Sequence, residues 1–278
     1  MQNFTTKTEL IDYLKTIDKE KTIGFVPTMG ALHQGHLGLI KESNDKCDVT
    51  ICSIFINPTQ FNNSEDLAKY PNTLDKDLSL LKKANCDIVY SPQVNDLYIN
   101  GEKAKNYNFG NITACMEGKH RPGHFNGMAT IVEKFFRIIN PTIAFFGQKD
   151  LQQLQIVKAL VKQMKIAIEI ISVPIIREKS GLAKSSRNKL LSPSDKENAS
   201  LIYKCLLYCK NNKSEGVNKL KKYLHKRINS NKNIELEYVE FVNLNKMKVI
   251  EDWEEENKNA ICIAAYVSGV RLIDNIIL

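Results

Sequence analysis

The sequence predicts an α/β fold, a doubly wound parallel sheet followed by a smaller C-terminal α+β domain. Two observations carry this. Short apolar, β-branched runs alternate with amphipathic helical stretches from Thr22 to Ile176, the order that makes parallel strands joined by crossover helices. From Pro193 the order changes to two helical segments followed by strands, so helices and strands are segregated. The expected domains are residues 1–176 and 177–278.

In chain order, MQNFTTKTELIDYLK reads as an amphipathic helix and lacks the basic start and apolar region of a signal peptide, so export is not expected. Thr22 to Val26 is a buried strand that Pro27 ends, and Gln34 onward, with Leu37 and Ile40, is a helix. Asp48 to Asn57 is a second buried strand. Tyr70-Pro71 opens a helix with Leu74, Leu78 and Leu81 on one face, followed by a short strand at Asp87 to Tyr90. After an irregular stretch through Asn111, Glu117 to Gly127 holds two histidines, one arginine and three glycines, and reads as a mobile cationic loop. The helix Met128 to Ile139 is apolar over so wide a face that deep burial is expected. Thr142 to Phe146 is another strand, LQQLQIVKALVKQM a helix, and Ile166 to Ile176 the last long strand of the sheet. The C-terminal domain is read as helices over Asp195 to Asn211 and Glu215 to Ser230, then strands over Ile234 to Leu244 and Ala260 to Val267. Glu251 to Glu256 forms a solvated acidic cluster around Trp253.

Composition narrows the function. No apolar run approaches the roughly 18 residues of a membrane span. Seven cysteines without a C-x-x-C pair favour neither a disulfide framework nor a zinc ribbon; Cys205 and Cys209 are read as packing residues, and reduced thiols fit a cytoplasmic protein. The net charge is +8, and Arg177 to Leu278 supplies most of it, with 19 basic against 13 acidic side chains. The excess sits at Lys219, Lys221, Lys222, Lys226 and Arg227 with little aromatic interleaving, which describes a solvated helix face better than a nucleic-acid surface.

The chemistry is concentrated where strands end. Thr22 to His36, TIGFVPTMGALHQGH, is a strand, a glycine-bearing loop and a helix, an arrangement that aims backbone N–H groups and a helix dipole at one spot. His33 and His36 fall there, suited to donate to phosphate oxygens. By spacing alone the pair also fits an ordinary helix start or half of a metal site. Asn57 and Gln60 lie beyond the carboxyl end of the second strand, placed for uncharged recognition of hydroxyls and carboxylates, although Asn-Pro alone is also a turn signal. In Gly147-Gln148-Lys149-Asp150 the lysine suits phosphate and the aspartate a ribose hydroxyl or magnesium, while capping is the plainer reading of Lys-Asp at a helix start. Lys184-Ser185-Ser186-Arg187-Asn188, behind Gly181, can close over a triphosphate or be a linker.

His-X-Gly-His followed at this distance by the serine-rich basic segment resembles the two signatures of the nucleotidyltransferase superfamily, which includes class I aminoacyl-tRNA synthetases and has Rossmann-like domains. PTMGALHQGH, FINPTQF, the RPGHF loop, GQKD with Gln152-Gln153, and KSSRN, in this order from about Thr22 to Leu191, resemble the pantothenate synthetase family. That resemblance implies ATP-dependent condensation of pantoate with β-alanine through a pantoyl adenylate, with release of pyrophosphate and AMP. It implies that Met29, Gly30, Ala31, Leu32, His33, Gln34, Gly35 and His36 hold ATP, His36 being the proton donor and His33 its partner. Gly147, Gln148, Lys149, Asp150, the backbone at Ile176, Lys184, Ser185, Ser186 and Arg187 complete the ATP site. His33, His36, Lys149, Ser185, Ser186 and Arg187 are the implied catalytic groups. Gln60 and Gln153 grip pantoate, Gln60 also touches β-alanine, and Pro27, Thr28 and Asn57 belong to the substrate side. Magnesium accompanying ATP, a homodimer and a small C-terminal lid are further implications; membrane and nucleic-acid partners are not.

Two positions depart from the family pattern. Gln148 stands where glutamate is usual, which puts the holding of metal or ribose in question, and Lys184 stands where methionine or leucine is common, adding charge beside the phosphates. Two other readings stay open: a nucleotidyltransferase acting on a phosphate monoester, which would want additional cations where Gln60 and Gln153 are neutral, and a basic RNA-binding protein on a synthetase-like fold.

Overall fold

The computed structural model describes residues 1–68, 70–254 and 259–278. Its elements run β1 (Gln2–Phe4), α1 (Lys7–Leu14), β2 (Ile23–Thr28), α2 (Gln34–Lys46), β3 (Val49–Ile54), α3 (Ser64–Ala68), α4 (Leu74–Lys83), β4 (Ile88–Tyr90), α5 (Val94–Leu97), α6 (Met116–His120), α7 (His124–Ile139), β5 (Ile143–Gly147), α8 (Leu151–Met164), β6 (Glu169–Val173), α9 (Pro193–Asn211), α10 (Val217–Asn229), β7 (Ile234–Asn243), β8 (Asn259–Val267) and β9 (Val270–Ile277). Two compact units result. The first comprises 1–109, 121–148 and 156–174; the second comprises 110–120, 149–155 and 175–278. Two short segments from within the first 176 residues thus cluster with the C-terminal unit.

The first unit holds a six-stranded sheet ordered β1-β4-β3-β2-β5-β6, parallel throughout. The chain winds outward from β2 through β3 to β4, then resumes on the other side of β2 with β5 and β6. Strand order therefore reverses between β2 and β5, where a doubly wound sheet opens its ligand crevice. The strands are apolar on both faces because both faces are covered. Val26 packs with Leu39 and Ile40 of α2 and Leu81 of α4, while its neighbour Phe25 meets Phe135 and Phe136 of α7 edge-on. The segment before α6 is fastened to α7 by Glu133, which accepts from Lys105 Nζ at 3.0 Å, Tyr107 Oη at 2.5 Å and Arg137 Nε at 2.8 Å.

Three expectations needed correction. Pro27 does not end its strand: β2 runs to Thr28. Thr28 C=O accepts from Phe55 on the β3 side, so Pro27, one residue earlier, turns its missing N–H toward β5, whose pairing with β2 stops at Phe25. The N-terminus opens with β1 rather than helix, and the long strand read over Ile166 to Ile176 is formed only by Glu169–Val173.

In the second unit α9 and α10 pack on the antiparallel sheet β7-β8-β9, burying Cys205, Cys209, Leu220, Leu224, Phe241, Ile261, Ile263 and Leu272 in one cluster. Burial raises the thiol pKa of both cysteines, Cys209 to about 12, as inert packing residues require. The third strand, β9, follows β8 through Ser268 and Gly269, both with positive φ, the two-residue turn that matches strand twist. On β9, Arg271 forks onto Glu117 of α6 at 2.9 and 2.6 Å and also binds Glu237, while Tyr238 Oη donates to Glu117 at 2.9 Å. The acidic cluster read over 251–256 lies outside the described residues at Glu255 and Glu256.

Candidate active site

The loop after β2 is held from three directions. Gly30 and Ala31 both adopt left-handed backbone, at φ 81° and 51°. Thr28 Oγ1 donates to Ser53 C=O at 2.7 Å and accepts from Gly30 N–H at 3.2 Å. Asp77, buried on α4, accepts the N–H groups of Ala31 at 2.9 Å and Leu32 at 2.8 Å, and Thr73 Oγ1 donates to it at 3.0 Å. The loop conformation is thereby set by a residue 46 positions away. Thr28, assigned to the substrate side by resemblance, has its hydroxyl committed to this scaffold.

His33 and His36 cap α2 reciprocally. His33 Nδ1 accepts Gly35 N–H at 3.0 Å and His36 Nδ1 accepts His33 N–H at 3.3 Å; the rings lie 4.1 Å apart. A ring nitrogen that accepts an N–H carries no proton, so in each neutral imidazole the proton sits on Nε2. The helix start thus fixes the tautomer of both rings with Nε2–H as donor. Gln34 is exposed and Gly35 partly so, while Met29 lies beside Gln60, whose amide nitrogen is 2.9 Å from Met29 Sδ.

Beyond β3, a 3-10 turn over Pro58–Gln60 is capped by Asn57, which is 1% exposed. Its amide donates to Gln60 Oε1 and Gly127 C=O, both at 3.1 Å, and its oxygen accepts from Tyr98 Oη at 2.8 Å and Thr59 Oγ1 at 3.0 Å. Asn57, read as a substrate contact, therefore holds Gln60 in place. The turn lies against the start of α7, where a Cβ built on Gly127 would come within 2.1 Å of Thr59 O. His124 supports the same turn: its Nδ1 is 2.8 Å from Gln60 C=O and so carries the proton, which leaves Nε2 to accept from Arg121 at 3.3 Å. His124 is 6% exposed and opens α7, and 116–120 is helical, so the cationic loop read over Glu117 to Gly127 shrinks to a turn around Arg121–Gly123. Gly147 ends β5 and Gln148 follows it, beside the strand reversal.

The remaining predicted residues belong to the second unit. Lys149 Nζ is 3.6 Å from Asp150 Oδ1. Gln152 is buried and donates to the carbonyls of Ile112 and Cys115, whereas Gln153 is partly exposed. Ile176 C=O accepts Lys184 N–H at 2.9 Å, closing a hairpin that leads into the serine segment. Ser185 Oγ caps the 3-10 turn Ser186–Leu190 by accepting Arg187 N–H at 3.3 Å. Asn188 ties this turn back to Ala183 C=O at 3.0 Å. Lys184 Nζ lies 3.7 Å from Glu178, so a carboxylate faces the charge that this sequence adds.

The family model for pantoate-beta-alanine ligase matches residues 2–277. The chain belongs to the pantoate-beta-alanine ligase family. Among curated relatives, a pantothenate synthetase of Flavobacterium psychrophilum is 45% identical over 276 residues, 98% of each chain, and one of Cytophaga hutchinsonii is 46% identical over 94% of this chain and 93% of the relative. A pantothenate synthetase structure from Thermus thermophilus aligns with a TM-score of 0.92 at 34% identity over 99% of each chain. A pantoate-beta-alanine ligase structure from Francisella tularensis, solved with beta-gamma ATP and beta-alanine, aligns at 0.83 and 36% identity, covering 100% of this chain and 97% of its own. Family membership agrees with the parallel-sheet fold and the antiparallel C-terminal sheet described above.

Asp77, Tyr98 and His124 were not singled out from sequence. Nothing adjacent marks Asp77, whose partners lie across the fold; His124 stood inside a recognised motif but carried no sign that it would turn inward.

Proposed function

We propose that this ligase condenses pantoate with β-alanine in two steps, through a pantoyl adenylate. A pantoate carboxylate oxygen attacks the α-phosphorus of ATP, the bond from that phosphorus to the β-phosphate oxygen breaks, and pyrophosphate leaves. The neutral amine of β-alanine then attacks the adenylate carbonyl carbon; AMP departs with the carboxyl-derived oxygen, and the nitrogen loses a proton. No protein nucleophile is required.

The reciprocal histidine cap carries this reading, because it presents two Nε2–H donors of fixed tautomer at the start of α2, beyond the carboxyl end of β2. In this proposal His33 and His36 donate to phosphate oxygens, and Lys149, Ser185, Ser186 and Arg187 neutralise charge on the departing pyrophosphate. Met29 to His36 and Gly147 to Asp150 line the ATP site. Gln60, oriented by Asn57 and His124, and Gln153 bind pantoate.

Among the described residues no group of three or more His, Cys, Asp or Glu side chains forms a cation cage. In this proposal Asp150, the carboxylate on the GQKD turn, would help to hold a magnesium ion arriving with ATP. Such an ion screens phosphate charge.

A cytoplasmic homodimer completes the proposal. Seven free thiols support the cytoplasmic location, and the dimer is what the family resemblance implies.

Pyrophosphate exchange into ATP, with magnesium and pantoate but no β-alanine, tests the two-step route. Pantoate-dependent exchange is expected. Its absence from folded protein that still forms amide when β-alanine is added would replace the adenylate by a concerted reaction, and absence of both would favour the nucleotidyltransferase reading.

A further inference from the structure

Residues 176–184 form a hairpin closed by Glu178 N–H on Leu182 C=O at 2.8 Å and Gly181 N–H on Glu178 C=O at 2.9 Å. Gly181 sits at φ +93° with Tyr203 packed behind it; a Cβ there would lie 2.4 Å from the ring. The hairpin is anchored by Arg177, whose guanidinium stacks 3.8 Å from the Tyr203 ring centre. That guanidinium forks onto Asp274 of β9 at 2.7 and 2.9 Å and donates to Gly181 C=O at 3.0 Å. The next residue of β9, Asn275, donates from its side-chain amide to Lys149 C=O at 2.9 Å. Asp274 and Asn275 are 6% and 2% exposed. Successive strand side chains point to opposite faces. Asp274 pairs across β8 with Ile263, which belongs to the cluster under α9, whereas Asn275 pairs with Cys262 on the other face. One strand therefore reaches the serine segment's hairpin on one face and the lysine turn on the other.

We propose that Asp274 and Asn275 are positioning residues for the phosphate-binding cations: β9 fixes Lys149 through its backbone carbonyl and the Ser185–Arg187 segment through Arg177, so that both meet the polyphosphate of ATP in one geometry. The inference rests on the phosphate roles proposed above for Lys149 and the serine segment. It assigns neither residue a contact with substrate. A forked guanidinium and an amide–carbonyl bond are directional, and the carbonyl held by Asn275 belongs to the residue whose ammonium is placed on phosphate.

Asn275→Asp, which keeps shape but removes the donor, and Asn275→Ala are compared with wild type by thermal melting, by calorimetric affinity for magnesium and a non-hydrolysable ATP analogue, and by pantoate-dependent exchange. The expected result is folded protein with affinity at least about fivefold weaker and exchange kcat at least about tenfold lower, the scale of one misplaced hydrogen-bonded group. The KM for pantoate stays within about twofold. In a Lys149→Ala background the Asn275→Ala loss disappears. Wild-type affinity in the folded Asn275 variants, or an equal loss with and without Lys149, overturns the proposal. Asp274→Asn is expected to couple in the same way to Arg187→Ala; should it not fold, the Asn275 pair still decides. If wild-type protein binds the analogue but shows no exchange, the adenylate route fails while the affinities still test the positioning role. Protein that binds no nucleotide overturns both.

Discussion

Asp77 accepts the backbone N–H of Ala31 at 2.9 Å, holding a non-glycine residue in left-handed backbone at the centre of the loop after β2. The same carboxylate takes Leu32 N–H, so removing it strands two buried donors at about 1–3 kcal/mol each. Asp77→Ala should lower stability by about 2–6 kcal/mol, and Thr73→Ala, which removes one donor to the carboxylate, by no more than about 1.5. Urea unfolding midpoints compare them; equal small losses would show that the loop holds its own shape.

His36 caps α2 through Nδ1 and leaves Nε2–H for the donor role proposed above, and the two can be separated. His36→Asn places an amide oxygen where Asp195 serves in the cap of α9, so the helix start should survive within about 1 kcal/mol. Exchange should nevertheless fall by at least about 10²-fold, the usual cost of a lost preorganised donor. Near-normal turnover by folded His36→Asn or His36→Ala would remove His36 from the chemistry.

These two residues mark what was legible from sequence. The histidine pair was visible because its partners lie within three positions, and local chemistry leaves a local pattern. Asp77 is invisible because it works on residues more than forty positions away, and an aspartate in the first turn of a helix looks like an ordinary solvated N-terminal carboxylate until the fold buries it. Likewise β2, β3 and β5 announced themselves as apolar runs buried on both faces, whereas β1 is three residues with little apolar character. The Ser268-Gly269 pair is a usable turn sign for β9. Asn57 was found for its position at a strand end, yet position alone does not distinguish a side chain that meets ligand from one that braces a neighbour.

Glu133 predicts an acid limb of stability. Burial works to raise its pKa, but hydrogen bonds from Tyr107, Arg137 and Lys105 outweigh it and hold the carboxyl down at about 2, against an ordinary 4.5. The folded value is depressed, so the stabilisation is complete above the unfolded pKa and is lost as pH falls from about 4.5 to about 2. Unfolding free energy should drop by on the order of 3 kcal/mol through that window, and less in Glu133→Gln. Parallel pH profiles for the two proteins would count against this cluster.

Arg271 lies between two carboxylates, and removing it leaves Glu117 and Glu237 facing each other in a largely buried place. Arg271→Met should cost about 3–5 kcal/mol, and adding Glu117→Gln should recover part of it. Thermal melting of the single and double variants checks this; a single variant as stable as wild type would reduce the network to surface pairing.

The same network imposes an order on biosynthesis. Glu117 leaves the ribosome 154 residues before Arg271, roughly 8 to 30 s at ordinary elongation rates. During that interval α6 carries a carboxylate whose Arg271 partner has not yet been made. The nascent chain therefore carries a second unit without its Arg271 fork until β9 has been made.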